Sequence, residues 1–238
     1  MIRVEHLFKS FDGQKVLNDI SFSVPEGEIL VILGASGTGK SVLLKCMMGL
    51  MKPDKGQIWI DDKEITRLPE GDLLKVRKHI GYLFQEGALY DFMTVYENIA
   101  FPLQEHTALD QRAIEAKVKN ALELVDLQGV EGKHPSELSG GMKKRVGLAR
   151  SIILGSKILF CDEPTSGLDP IRSRDISSLI KNVSKRLLCT TVITSHDIRN
   201  SFYVADRCAL IRDGKIIAMG TRSQMEASSN AFVKEFIH

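Results

Sequence analysis

Gly34-Ala35-Ser36-Gly37-Thr38-Gly39-Lys40-Ser41 follows the continuous apolar run Ile29 to Leu33 and opens into VLLKCMMGLM. No other stretch restricts the fold as much. An apolar run of that length reads as a strand buried on both faces, and the segment after the loop reads as a helix. A strand, a glycine-rich loop and a helix start, in that order, build a cradle for phosphate. Successive backbone N–H groups curl around the anion, and glycines permit both the conformation and the close approach. The spacing G-x-x-x-x-G-K-S is the P-loop pattern in its required strand–loop–helix context. Gly34, Ser36, Gly37, Thr38 and Gly39 are the expected lining. Lys40 should reach the β- and γ-phosphate oxygens, and the Ser41 hydroxyl should ligate Mg²⁺.

A second apolar strand ends in two carboxylates. In ILFCDEPTSGLD, Ile158 to Asp169, Asp162 stands at the strand terminus, where it can hold the Mg²⁺ shell through water. Glu163 follows in the loop, placed to orient or deprotonate an attacking water. An acidic strand end alone is usually only a solvated turn; beside a P-loop the catalytic reading prevails. No NKxD-type guanine-selecting segment occurs, which favours ATP over GTP.

The rest of the chain reads as α/β. Short strands are expected at Ile2 to His6, Val16 to Val24, Gln57 to Asp61 and Ile80 to Phe84, and again at Ile158 to Cys161 and Thr191 to Thr194. Cys208 to Ile211 and Ile216 to Ala218 form the last pair, joined by a hairpin turn at Asp213-Gly214-Lys215. Between about Gln85 and Ser156 the pattern is helical: Val118, Ala121, Leu122 and Val125 recur at helical spacing, and Met142 to Leu154 reads as a further helix. The tail places Phe232 and Phe236 at i, i+4, able to pack on its own domain or on a partner. Four cysteines, without a CxxC pair, read as buried thiols. The net charge of +2 argues against a general nucleic-acid binder. No run approaches the ~20 apolar residues of a membrane helix, and the start MIRVEHLFKSF lacks a signal-peptide core, so a cytosolic chain is expected.

One more stretch, Glu137-Leu138-Ser139-Gly140-Gly141-Met142, is by itself only a capped helix start that attracts anions. Taken with the P-loop, ILFCDEP and VITSHD (His196), in that order, it makes the chain resemble an ABC-transporter ATPase subunit over essentially its whole length. The fold this implies is a P-loop NTPase (RecA-like) α/β core with an N-terminal antiparallel β subdomain and an inserted α-helical subdomain. The domain would be a single one over residues 1–238, with the helical insert at about 86–156.

The resemblance also implies a division of labour. Two domains pack head to tail, and Ser139, Gly140 and Gly141 of one close over the ATP held by the other's P-loop. Phe11 would stack on adenine, where tyrosine is more usual. Gln85 would sense Mg²⁺ and the attacking water, Asp169 would couple the two sites, and His196 would contact the γ-phosphate. His6, His79, His106, His134 and His238 match nothing and are expected at the surface or satisfied. Met142 stands where the family usually has glutamine, and Lys143-Lys144-Arg145 reads as a solvated or phosphate-facing turn. EGALYDFMTVYENIAFPL, after Gln85, corresponds to the surface on which permease subunits dock. Its Gly87-Ala88-Leu89 and Pro102-Leu103 resemble the subgroup serving MCE-domain systems such as Mla phospholipid transporters; an amino-acid or lipoprotein-releasing system is the alternative. The implied partners are a second copy of the chain, an integral membrane permease and an MCE-domain component. The implied place is the cytoplasmic face of the inner or plasma membrane, as a peripheral subunit.

Overall fold

Two long antiparallel strands open the chain, β1 (Ile2–Phe11) and β2 (Gln14–Val24), joined through Asp12 and Gly13, both at positive φ. β3 (Ile29–Leu33), α1 (Lys40–Met47), β4 (Lys55–Ile60), β5 (Lys63–Glu64) and α2 (Glu70–Arg77) follow. The middle of the chain carries β6 (Ile80–Leu83), α3 (Val95–His106), α4 (Gln111–Leu124), a 3₁₀ turn at Pro135–Glu137, α5 (Gly140–Ile152), β7 (Ile158–Asp162) and α6 (Pro170–Leu187). The last part is β8 (Thr190–Ser195), α7 (Ile198–Val204), β9 (Arg207–Arg212), β10 (Lys215–Gly220), α8 (Arg222–Glu226) and α9 (Ala231–Ile237). This computed structural model describes residues 2–237, so His238 lies outside the described residues.

The chain divides into two compact units, Met1–Arg77 with Thr190–His238 and Lys78–Cys189. The first holds an antiparallel sheet of order β2-β1-β4-β5 and a mostly parallel set in which β3 pairs with both β8 and β9. All five residues of β3 are buried, as its unbroken apolar sequence requires. β9 and β10 are antiparallel across the expected Asp213-Gly214 turn, whose two residues have φ 49° and 71°. α1 is shorter than its apolar pattern. It ends at Met47, and the chain turns at Gly49 (φ 69°), whose carbonyl accepts a hydrogen bond from Arg77 Nη2 at 2.7 Å. The tail packs on its own unit: Val233 of α9 is buried and the Phe232 ring lies 3.8 Å from the Arg212 guanidinium carbon.

In the second unit β6 and β7 pair in parallel and α5 is the central helix, packed against α3, α4, α6 and β6. Close approach sets its place. A Cβ at Gly81 of β6 would stand 2.4 Å from the Ser151 carbonyl oxygen, so β6 and α5 lie closer than any other residue would allow. α3 begins with a capping box in which Thr94 and Glu97 satisfy each other's backbone N–H groups. α6 is capped by Asp169 with Pro170 in its first turn, and it buries Ile176, Leu179, Ile180 and Val183. All four cysteines are buried thiols, and burial pushes Cys46 and Cys189 up to about 11.

Asn98 organises the segment between β6 and α3. Its side chain, fully buried, accepts from the Tyr90 N–H at 2.8 Å and donates to the carbonyls of Tyr90, Met93 and Thr94 at 3.0–3.1 Å. Alanine at this position takes the partner from the Tyr90 N–H and the Met93 carbonyl at once, while the carbonyls of Tyr90 and Thr94 keep main-chain donors. Asn98→Ala is therefore expected to destabilise the protein by on the order of 3 kcal/mol in denaturant titration. A loss under ~0.5 kcal/mol would mean that water replaces the amide and that the segment is not held by it.

Candidate nucleotide-binding site

The Gly34–Ser41 loop lies where the sequence places it, between β3 and α1 of the first unit. Gly34 is pressed against β9: a Cβ there would meet the Ile211 carbonyl oxygen and the Thr38 hydroxyl, each at 2.8 Å. Gly37 (φ 80°) and Gly39 (φ 95°) hold left-handed conformations, and Gly39 caps α1. Thr38 closes the loop on itself through Oγ1 to the Ala35 carbonyl at 2.9 Å. Lys40 is buried, and its Nζ donates to the carbonyls of Gly34 and Ala35 at 2.8 and 3.0 Å. The ammonium thus lies along the first residues of the loop, while Ala35, Ser36 and Gly37 are exposed. An anion seated on these backbone amides would meet an already placed positive charge. The cradle fits a phosphate chain.

Two further predicted residues belong to this unit. Phe11 ends β1 and is 41% exposed, so it is not a core residue; the Lys9 ammonium stands 5.4 Å from its ring centroid. His196 is exposed immediately after the buried strand β8 and just before Asp197, the N-cap of α7.

The other predicted residues belong to the second unit. Asp162 ends β7, is 7% exposed, and accepts a hydrogen bond from the Tyr82 hydroxyl at 3.2 Å. Burial, and next the Asp162 charge, push the Tyr82 phenol far above its ordinary value, so it remains a donor. Glu163 has φ 45°, a left-handed conformation that costs a non-glycine residue about 1 kcal/mol or more. Such an outlier directly beyond a strand end sets the backbone from which the carboxyl extends. Gln85 follows β6 closely, and its amide Nε2 donates to Ser166 Oγ at 3.1 Å. Ser139 is the N-cap of α5 and accepts from the Met142 N–H at 3.3 Å, leaving Ser139 and Gly140 exposed at the helix mouth. Asp169 caps α6, and hydrogen bonds from the N–H groups of Arg172 and Ile171 help hold its carboxyl below the usual range.

One expectation is corrected. Lys143-Lys144-Arg145 is not a solvated turn. Lys144 is 5% exposed, and Arg145 donates to the Val125 carbonyl at 2.6 Å and stands 3.6 Å from Asp126. α5 is packed against α3, α4, α6 and β6, so Lys144, Arg145 and Arg150 reach carbonyl groups instead of water. Tyr82 and Ser166 are the neighbours of these residues that the sequence reading passes over, and Lys144 is one it names only within a basic turn. Tyr82 left one trace: a hydroxyl inside an apolar strand needs a partner.

Magnesium suits this donor set. Taken singly, the Ser41 hydroxyl in the first unit and the Gln85 amide oxygen and Asp162 carboxylate in the second are oxygen donors of the kind Mg²⁺ takes, and Mg²⁺ uses one or two carboxylates together with substrate phosphates. Among the described residues no group of three or more His, Cys, Asp or Glu side chains could hold a metal ion alone.

Residues 17–166 match the family described as ABC transporter. The chain belongs to that family. Mkl of Mycobacterium leprae, a probable ribonucleotide transport ATP-binding protein, is 40% identical over 237 residues, covering 100% of this chain and 68% of Mkl. Against the Mycobacterium tuberculosis Mkl the chain spans 66% of the relative's length. MlaF of Haemophilus influenzae, the intermembrane phospholipid transport system ATP-binding protein, is 39% identical over 237 residues, covering 100% of this chain and 90% of MlaF. MetN of Carboxydothermus hydrogenoformans, a methionine import ATP-binding protein, is 39% identical over 242 residues, covering 100% of this chain and 72% of MetN. Among solved structures, the dimeric ABC transporter cassette MJ0796 superposes with a TM-score of 0.86 at 28% identity, covering 93% of this chain and 98% of the cassette. CbiO1 of Clostridium perfringens, part of the transporter complex cbiONQ, gives 0.88 at 32% identity, covering 98% and 93%. The protein is an ABC ATPase that binds and hydrolyses ATP.

The loop geometry makes its own prediction. In Gly39→Ala the new Cβ would fall 2.9 Å from Val16 in a backbone conformation that side chains avoid. ATP affinity, measured with a fluorescent nucleotide, should fall at least ~10-fold, about 1.4 kcal/mol of strain relieved only by moving the loop. Unchanged affinity would show that the cradle does not depend on this turn.

Proposed function

We propose that this chain is the ATP-hydrolysing subunit of a membrane transporter for phospholipid or a related lipid, working as a homodimer beneath a separate permease. The observation that carries the hydrolytic part is the end of β7: Asp162 buried with a hydroxyl donor, then Glu163 fixed at φ 45°. In this reading Glu163 is the base for the attacking water. Lys40 and the amides of residues 34–41 hold the phosphates, and Phe11 stacks on adenine. Ser41, Gln85 and Asp162 supply the shell of Mg²⁺, which when bound offsets charge building on the phosphates. His196 contacts the γ-phosphate, and Asp169 links paired sites. The chain itself forms one domain, its helical insert at about 86–156.

Dimerisation gives the exposed α5 mouth its purpose. Ser139, Gly140 and Gly141 present a helix N-terminus suited to an anion, and a second copy's nucleotide would supply one. The neighbouring cassette MJ0796 is dimeric, also in its post-hydrolysis state with ADP and Pi, which has a TM-score of 0.85 to this chain. Among the described residues no helix is long and apolar enough to cross a membrane, so a permease would have to supply the path. Its docking surface is the segment after Gln85, where Tyr90 and Phe92 are 40% and 77% exposed. The lipid assignment rests on the likeness to MlaF along the whole of this chain, together with the Gly87-Ala88-Leu89 and Pro102-Leu103 pattern. An MCE-domain component is then the expected further partner, and the cytoplasmic membrane face the expected place.

Glu163→Gln keeps the shape of the acid and removes its basicity. Turnover should drop by at least ~100-fold with ATP binding retained; near-normal turnover would take the base role away from Glu163. For the cargo, the native complex would be drawn from mild detergent through a tag on this chain. A permease with an MCE-domain protein and bound phospholipid supports the lipid reading. A permease with an amino-acid-binding protein, as the MetN likeness allows, replaces it.

A further inference from the structure

A buried ammonium must find acceptors, because its three donors lose water when it leaves the surface. Lys144, on α5, finds two main-chain carbonyls, that of Gln85 and that of Ser166, the latter at 3.1 Å. These carbonyls lie on different loops, one just beyond β6 and the other in the turn beyond β7. The same two residues also meet through their side chains, since Gln85 Nε2 donates to Ser166 Oγ at 3.1 Å. The result is a closed ring: ammonium, Gln85 main chain, Gln85 side chain, Ser166 side chain, Ser166 main chain, ammonium. The ring reaches the acid as well, for the Ser166 N–H donates to the Glu163 carbonyl at 3.0 Å.

We propose that Lys144 is a positioning residue for ATP hydrolysis, its ammonium fixing the Gln85 side chain and the turn that carries Glu163. The inference rests on the roles proposed above for Gln85 and Glu163. A hydrogen bond from the amide of Gln85 to Ser166 leaves the amide oxygen as its free-standing acceptor, which suits a metal or water ligand. That orientation holds only while the two main chains stay in register, and Lys144 is the side chain that bridges them. Burial lowers the lysine's proton affinity, whereas Glu86 and Glu163 raise it, so the charged form has acidic company as well as carbonyl acceptors. Nothing about the ring requires bound nucleotide. The effect of losing it should therefore appear in the chemical step and not in ATP binding.

The test is a double-mutant cycle on the purified full-length chain, following kcat, KM and fluorescent-nucleotide affinity. Lys144→Met keeps the aliphatic stem and removes every donor. It should lower kcat by about 10- to 100-fold, the scale on which a misplaced catalytic group acts, with ATP affinity changed less than ~3-fold. Lys144→Arg, which can still donate to both carbonyls, should recover most of the lost kcat. In a Gln85→Ala background Lys144→Met should cost clearly less than it does in the unaltered chain, because one of the two groups it positions is already gone. Ser166→Ala removes the hydroxyl contact without touching the lysine, and should reproduce part of the kcat loss if Lys144→Met is too unstable to purify. A lower melting temperature with unaltered kcat in Lys144→Met, or in Ser166→Ala where that variant stands in, would overturn the proposal and leave the lysine a structural plug. Full additivity with an impaired Gln85→Ala would overturn it as well. Normal turnover in Gln85→Ala would sink the Gln85 assignment itself, and the positioning role with it.

Discussion

Burial of β3 between two parallel neighbours is the constraint on which the nucleotide end of this protein depends. Ile29 to Leu33 pair with Thr191 to Ser195 on one side, and Leu30 to Leu33 with Arg207 to Leu210 on the other. A strand so enclosed cannot slip by one residue without losing both ladders. Its end is therefore a fixed point, and the loop that leaves it at Gly34 starts from a fixed direction. The contact of Gly34 with the Ile211 carbonyl is a consequence: the loop begins so close to β9 that no side chain fits. From there left-handed glycines turn the backbone, Gly39 starts α1, and the buried stem of Lys40 returns its ammonium to the loop's own carbonyls. What the loop offers a phosphate is backbone amides and the Lys40 ammonium, and the sheet supplies the rigidity that backbone lacks.

The second unit solves a different problem, keeping several irregular loops in place around one helix. α5 does this with cations. Lys144 holds the carbonyls of Gln85 and Ser166, Arg145 that of Val125, and Arg150 those of Gly87 and Ala88, the last two at 2.9 Å. Loop carbonyls with no strand partner would otherwise cost free energy once buried. A guanidinium or ammonium can take two at a time, so three side chains pin most of what surrounds the helix. Asn98 performs the same task from α3, with an amide in place of a charge.

This difference decides what was legible in the sequence. β3 stands at the bounds its apolar run announces, β7 runs one residue further to Asp162, and Asp213-Gly214 makes the hairpin turn. These features depend on neighbours in the chain, where period and turn chemistry act. α1 reads too long because Met48, Leu50 and Met51 continue an apolar pattern that Gly49 interrupts with a left-handed turn. The α5 cations misread for a deeper reason. Their acceptors lie 59 and 22 residues away for Lys144, and a carbonyl belongs to every residue, so no residue type marks it. The position of Glu163 was readable from its place after a strand; its left-handed backbone was not, since glutamate gives no sign of it.

The relatives carry names for phospholipid, methionine and ribonucleotide transport at nearly equal identity, and the architecture explains how one chain type is compatible with all three. The groups proposed above for ATP chemistry lie at the end of β1, in the loop after β3, at the ends of β6, β7 and β8, and at the mouths of α5 and α6. Each is fixed by sheet ladders, caps or α5 cations, and none needs to touch a cargo. What differs in kind is the segment between Gln85 and α3, where the rings of exposed Tyr90 and Phe92 meet at a tilt, 5.7 Å between centroids, on a backbone turned left-handed at Gly87 and Ala88. Arg150 and Asn98 hold that backbone from beneath, through main-chain atoms that any sequence would offer. Its outward side chains are thus left to vary without disturbing the catalytic loops. If this segment is the docking surface proposed above, a surface supported in this way can be refitted to a new membrane partner while the hydrolytic machinery stays as it is.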